Sequence, residues 1–150
     1  MTEHSPLVRI DAEPIDAREV EQAVWSQADG AVVTFTGVVR DHDGGRSVSR
    51  LEYSAHPQAE KFLRELCAEV ANDFTSTGSA DSSVQLAAVH RIGHLEIGDI
   101  AVAVAAAAPH RREAFEACQT MIDRLKQEIP IWKRQLFVEG LSEWVGAGEC

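Results

Sequence analysis

Ile100-Ala-Val-Ala-Val-Ala-Ala-Ala-Ala-Pro109 runs ten residues without a polar side chain and stops at a proline. A membrane span needs about 20 apolar residues, so this run is roughly half as long as one would have to be. Gly98 punctuates one side and Pro109 the other, and a short apolar stretch so bounded reads as a central strand, Ile100 to Ala107. Pro109 then starts the longest helix, with Phe115, Cys118, Ile122, Leu125 and Ile129 at helical spacing. Pro130 ends that helix, Ile131 to Val138 reads as a final strand, and another is expected near Trp144.

On the other side of the run, Val84 to Ile92 reads as a strand closed by Gly93, and Thr75 to Ser83 as a polar loop. Pro57 opens a helix through about Phe74, with Ala59, Phe62, Leu63, Leu66 and Val70 inward. Ala31 to Arg40 is rich in β-branched residues and reads as a strand. Asp41-His-Asp-Gly-Gly45 is a turn and Ser47 to Ala55 alternates as the return strand, so the two are expected to pair as a hairpin. Leu7 to Ile10 is a short first strand. Asp16 and Glu19 form a capping box for a helix to about Ala28, with Val20, Ala23 and Val24 inward and Trp25 the next candidate. The order βαββαββαβ predicts an α+β fold, with a mixed, mostly antiparallel sheet and three main helices. It lacks the strict alternation of a doubly wound fold.

The 150 residues, 45% hydrophobic and 25% charged, are expected to form one domain, 1–150. Twenty-four acidic residues against 14 basic give a net charge of -10, which argues against a non-specific nucleic-acid or anionic-membrane binder. Cys67, Cys118 and Cys150 are odd in number and widely spaced, as in a reducing compartment. Met1 to Pro14 has no apolar core of a signal peptide, so a cytoplasmic location is expected. Of the basic residues only three are lysines, Lys61, Lys126 and Lys133, and the last two flank Pro130. Residues 111–134 hold six basic and four acidic side chains, a basic island in an acidic chain.

The glycines spell neither GxGxxG nor a P-loop. His90 and His94 have a metal-like spacing, but Gly93 breaks the helical face it would need, and no metal site is expected. Cys118 falls on the apolar stripe of its helix and reads as core. His110 and Arg111 begin the helix after Pro109, where a cation is locally unfavourable unless an anion sits between it and the unpaired N–H groups. The alternative is that Arg111 and Arg112 are solvated or pair with Glu113 and Glu116. Lys126 suits the helix end on dipole grounds alone, and Lys133 points away from Trp132 on the following strand. Lysine, unlike arginine, can give up its proton when desolvated or set beside other cations, which is what a nucleophile or general acid requires. Surface lysines are the competing reading.

Gly30-Ala-Val-Val-Thr-Phe-Thr-Gly-Val-Val-Arg40, Val89-His-Arg-Ile-Gly93, Pro109-His-Arg-Arg-Glu-Ala-Phe115 and Pro130-Ile-Trp-Lys-Arg134 together resemble the large, catalytic subunit of molybdopterin synthase, from about Leu7 to Trp144. The resemblance implies an α/β-hammerhead-type fold and a sulfur transfer in molybdenum cofactor biosynthesis. A small ubiquitin-like subunit would bring sulfur as a thiocarboxylate on its Gly-Gly tail, and cyclic pyranopterin monophosphate would become molybdopterin. It implies a central homodimer within a heterotetramer, and no metal or cofactor for this step. It also implies that Arg40, His110 and Arg111 hold the pterin phosphate, with Lys126 and Lys133 catalytic and Arg134 beside them. Val38, Val39 and Gln135 complete the substrate-binding set it implies. Three positions depart from the family pattern: Val38 stands where a basic residue is often found, Gln135 where an acidic one is common, and the tail after Trp144 lacks a basic residue. The function of another class is a non-catalytic module binding a phosphorylated metabolite or a partner's tail through the same island.

Overall fold

A computed structural model describes residues 6–74, 83–138, 140 and 142–145. The expected loop at 75–83, apart from Ser83, and the tail beyond residue 145 lie outside the described residues. The elements run β1 (Val8–Asp11), α1 (Ala17–Gln22), β2 (Ala31–Val38), β3 (His42–Asp43), β4 (Arg46–Ala55), α2 (Ala59–Phe74), β5 (Gln85–Arg91), β6 (Gly93–Glu96), β7 (Ile100–Ala108), α3 (Arg111–Glu128), β8 (Ile131–Phe137) and β9 (Ser142–Val145). This is the α+β arrangement, mixed and mostly antiparallel, that the order of elements predicts, although it is divided into two sheets where one was expected.

The apolar strand is central. The first sheet has the order β1-β5-β7-β2, with β7 antiparallel to both its neighbours and β1 parallel to β5. Both faces of β7 are covered, which is why it can be apolar throughout instead of alternating. Val102, Val104, Ala106 and Ala108 pack with Leu63, Leu66 and Val70 of α2 and Met121 and Leu125 of α3. Ala103, Ala105 and Ala107 face the other way, against Val20 and Val24 around α1.

The second sheet has β4 flanked by β8 on one edge and by β3 and then β6 on the other, with β9 beyond β8. The expected hairpin is therefore not formed by Ala31–Arg40 and Ser47–Ala55. β2 pairs with β7 and β4 with β8, so the two strands belong to different sheets. The turn closes a tighter hairpin, β3 to β4, around Gly44 and Gly45 at φ +58° and +80°, a left-handed pair that favours glycine. β2 has apolar residues on both faces, Ala31 and Val33 on one and Val32 on the other, and so suits the doubly covered sheet.

Other differences are local. α1 ends at Gln22 instead of Ala28, leaving Trp25 56% exposed. Asp16 caps it by accepting from the Arg18 N–H at 3.0 Å, while Glu19 reaches Arg9 at 3.5 Å, so the reciprocal half of the box is not the one the spacing suggested. Phe62 and Phe115 are exposed; on α3 the stripe is carried by Ala114, Ala117, Cys118, Met121, Ile122 and Leu125, whose small members let the helix approach the alanines of β7. Cys118 is core, its thiol directed at the Val104 carbonyl.

Candidate active site

The two sheets meet at one end of β7 and leave a cleft of about 310 Å³. Its walls come from several elements, each for a local reason. β2 enters through Gly37, where the register with β7 shifts, and delivers Val38, Val39 and Arg40. A side chain at Gly37 could not be accommodated without movement, since its Cβ would stand 2.7 Å from Val102 Cγ1. The last turn of α3 adds Lys126. β8 presents every second residue, Lys133 and Gln135, across from Tyr53 and Leu51 of β4. The Gly-Gly hairpin brings His42 and Asp43 over the opening.

Three basic side chains, Arg40, Lys126 and Lys133, thus line one cavity of a chain with net charge -10. Asp43 is the carboxylate among them. One of its oxygens accepts from Gln135 Nε2 at 2.7 Å and the other lies 3.5 Å from Arg40 Nη2. At the rim, His42 Nδ1 is 2.8 Å from Asp41 Oδ1, and this hydrogen bond holds the Asp41 carboxyl below its usual range. Among the described residues no three His, Cys, Asp or Glu side chains converge as metal ligands.

Three of the expected site residues do not line the cleft. Arg134 sits between Lys133 and Gln135, so the two-residue period of β8 turns it to the opposite face. There its guanidinium lies 5.8 Å from the Trp144 ring centroid, with Nη2 3.5 Å from Ser142 Oγ. His110 is the N-cap residue of α3 and Arg111 its first residue, both exposed, and the His110 side chain makes no capping hydrogen bond. Lys126 is 15 residues further along the same helix, about 22 Å at 1.5 Å per residue. One chain therefore does not bring the start of α3 to its own cleft. Arg112 does what the surface reading expected and pairs with Glu116 at 3.2 Å.

The family model described as MoaE protein matches residues 10–128. The chain belongs to the MoaE family. It is 41% identical over 141 residues to the molybdopterin synthase catalytic subunit 1 of Mycobacterium tuberculosis, covering 94% of this chain and 91% of that one. The crystal structure of molybdopterin synthase from Staphylococcus aureus matches with a TM-score of 0.82 and 36% identity, over 97% of this chain and 99% of the other. A chain from the complex of subunits 1 and 2 of the molybdopterin-converting factor of Helicobacter pylori, 21% identical, shares the fold with a TM-score of 0.68 over 93% of this chain and 88% of that one.

Several residues around the cleft of this MoaE chain had no signal in the sequence. Asp43 and His42 read only as turn residues, and Tyr53 as one member of an alternating strand. His90 reads from the sequence as a strand-end histidine near a turn, and it does lie near the end of β5. It is buried, its Nδ1 donates to the Arg91 carbonyl at 2.8 Å, and its ring meets Tyr53 edge-on at 4.9 Å. His94 instead lies exposed, 3.4 Å from Glu52, so the two histidines are not a ligand pair. Burial pushes the His90 pKa down from 6.5 to about 4; the bond to Arg91 opposes this and the charge of Lys126 adds to it.

Because the folded pKa is the lower one, the unfolded chain binds the extra proton between pH 6.5 and 4. Stability from this ring is complete above that window and is lost as pH falls through it, by up to about 3 kcal/mol. Urea unfolding at pH 7 and pH 4.5 should show this loss in the wild type and a smaller one in His90→Phe. Equal losses in the two proteins would contradict the assignment.

Proposed function

We infer that this MoaE chain is the catalytic subunit of a molybdopterin synthase, a sulfurtransferase that converts cyclic pyranopterin monophosphate to the dithiolene of molybdopterin. Its sulfur comes from the thiocarboxylated Gly-Gly terminus of a small ubiquitin-like subunit, with residues 1–150 acting as one functional domain. The observation that carries the reading is the convergence of Arg40, Lys126 and Lys133 on one cleft in an acidic chain. The substrate has a phosphate and the donor a carboxylate-like end, so two anions must meet there. Cations fixed in advance offset that repulsion and stabilise charge that develops as sulfur attacks and the phosphate ring opens. Lys126 and Lys133 can in addition move protons, which Arg40 cannot. Val38, Val39 and Gln135 shape the seat, and Arg134 acts from the reverse face of β8.

His110 and Arg111 join the phosphate site in a homodimer. β2 is the outer strand of its sheet, and its start lies beside the start of α3, since Ala31 pairs with Ala108. Two copies joined edge to edge through antiparallel β2 strands would set Val38 of one near Ala31 of the other. The second copy's His110 and Arg111 then approach the first copy's cleft. With the small subunits outside, this is a heterotetramer. The free thiols of Cys67 and Cys118 suit the cytoplasm, and no helix among the described residues is long and apolar enough to cross a membrane.

The test is reconstitution: the chain, a thiocarboxylated carrier subunit and cyclic pyranopterin monophosphate are combined and dithiolene product is measured. Product with stoichiometric loss of thiocarboxylate is expected. Complex formation without product would replace the enzyme by a binding module.

A further inference from the structure

A carboxylate is out of place in a cleft built for anions unless it is committed elsewhere. Asp43 is committed on both oxygens: Oδ2 accepts from Gln135 Nε2 at 2.7 Å, and Oδ1 faces Arg40 Nη2 at 3.5 Å. Gln135 is only 3% exposed and is carried by the interior of β8, whereas the Arg40 side chain is 64% exposed just beyond the end of β2. The chain of contacts therefore runs from a buried amide through Asp43 to a long, exposed cation. The two-residue Gly44–Gly45 turn fixes where Asp43 can stand.

We propose that Asp43 and Gln135 are positioning residues that aim the Arg40 guanidinium into the cleft, so that an incoming phosphate meets it already oriented. The proposal deepens the functional reading above and rests on it for the identity of the ligand. The residue at 135 must be a donor for this to work. A glutamate there would face the Asp43 carboxylate with no proton between them at neutral pH, and repulsion would drive the aspartate and its arginine away from β8. An amide avoids this and orients the carboxylate by a charge-assisted hydrogen bond. Holding a flexible side chain in its bound direction raises affinity by lowering the ordering cost at binding.

The competing explanation is that the Gln135–Asp43 bond only ties the β3–β4 hairpin to β8. A swapped pair separates the two. Asp43→Asn combined with Gln135→Glu keeps a hydrogen bond between the residues but removes the negative charge facing Arg40. Binding of cyclic pyranopterin monophosphate is followed by calorimetry, together with thermal unfolding and the Arg40 side-chain Nε–Hε resonance. Asp43→Asn is expected to weaken binding by about five- to tenfold, with the loss appearing in KM more than in kcat. The swapped pair should recover the melting temperature without recovering affinity. In an Arg40→Ala background, Asp43→Asn should change affinity less than twofold.

Recovery of affinity by the swapped pair, an undiminished effect of Asp43→Asn without Arg40, or tighter binding by Asp43→Asn would each overturn the proposal. Failure of the wild type to bind the pterin phosphate would instead refute the functional reading. The Arg40 resonance would still decide the positioning, because it must shift in Asp43→Asn whether or not a ligand is present, and an unmoved resonance would overturn the proposal.

Discussion

Lys126→Ala and Lys133→Ala are each expected to reduce dithiolene formation by roughly 10²- to 10⁴-fold, the range over which a positioned proton-transfer group contributes. Neither change should unfold the protein. Lys126 is exposed at the end of α3 and Lys133 half-buried on β8, so truncation empties no core volume and should move stability by less than about 1 kcal/mol. The arginine replacements divide the two services a lysine can render. Arginine keeps the charge that draws two anions together but cannot give up its proton. A site that needs only charge would recover most of its rate in Lys126→Arg or Lys133→Arg. Recovery of substrate binding without recovery of turnover would assign that lysine a proton-transfer role. Full activity in both alanine variants would remove them from the mechanism. Single-turnover assays with preloaded carrier make the measurement independent of product release.

The second large effect is a gain. Arg111→Ala and Lys126→Ala homodimers should both be nearly inactive, and mixing them after subunit exchange should restore about one quarter of the wild-type rate. Random pairing makes half of the dimers mixed. In each mixed dimer one cleft has lost both residues and the other has both intact. That outcome requires Arg111 to act on the partner copy's cleft, as proposed above; the 18 residues of α3, about 27 Å, hold it away from its own. If the two residues served the same chain's cleft, every mixed dimer would have two damaged sites and no activity would return. Exchange is confirmed by co-purification of differently tagged copies, so a failure to mix cannot pass for a negative result.

Much of the fold could be read in advance because its strongest element is unambiguous. A run of small apolar residues between a glycine and a proline has few structural homes, and β7 occupies the expected one. α2 and α3 follow from their spacing, although Phe115 shows that periodicity marks a stripe without saying which large residue falls just off its edge. The pairing of β2 was not legible. Two strand-like segments around a turn look like a hairpin, and nothing local reports that the first one leaves for another sheet. For the site, Arg40, Lys126 and Lys133 stood out as motif residues and they share a cavity. Arg134 did not follow its neighbours because a strand alternates. His110 and Arg111 stood out in the same way, yet they lie exposed at the far end of α3, because a helix carries residues 15 positions apart to opposite ends of the molecule's core. Asp43 and Gln135 touch across 92 positions of sequence, a contact that only the tertiary fold makes.

The alanines of β7 have a cost that the packing picture hides. Ala103, Ala105, Ala106, Ala107 and Ala108 are all fully buried and nearly interchangeable in shape. Sliding the strand by two positions would return alanine to alanine on both faces over much of its length, so this half is poor at specifying its own alignment. The discrimination must come from the ends. At one end the Pro109 carbonyl packs so closely on Gly30 that a Cβ there would lie 2.9 Å away, and at the other Val102 fills the space left by Gly37. That second lock is also a wall of the cleft. The contact that tells the sheet where to stop sliding is thus also one that shapes the cleft, so a substitution at Gly37 or Val102 would disturb strand alignment and cavity shape through the same few atoms.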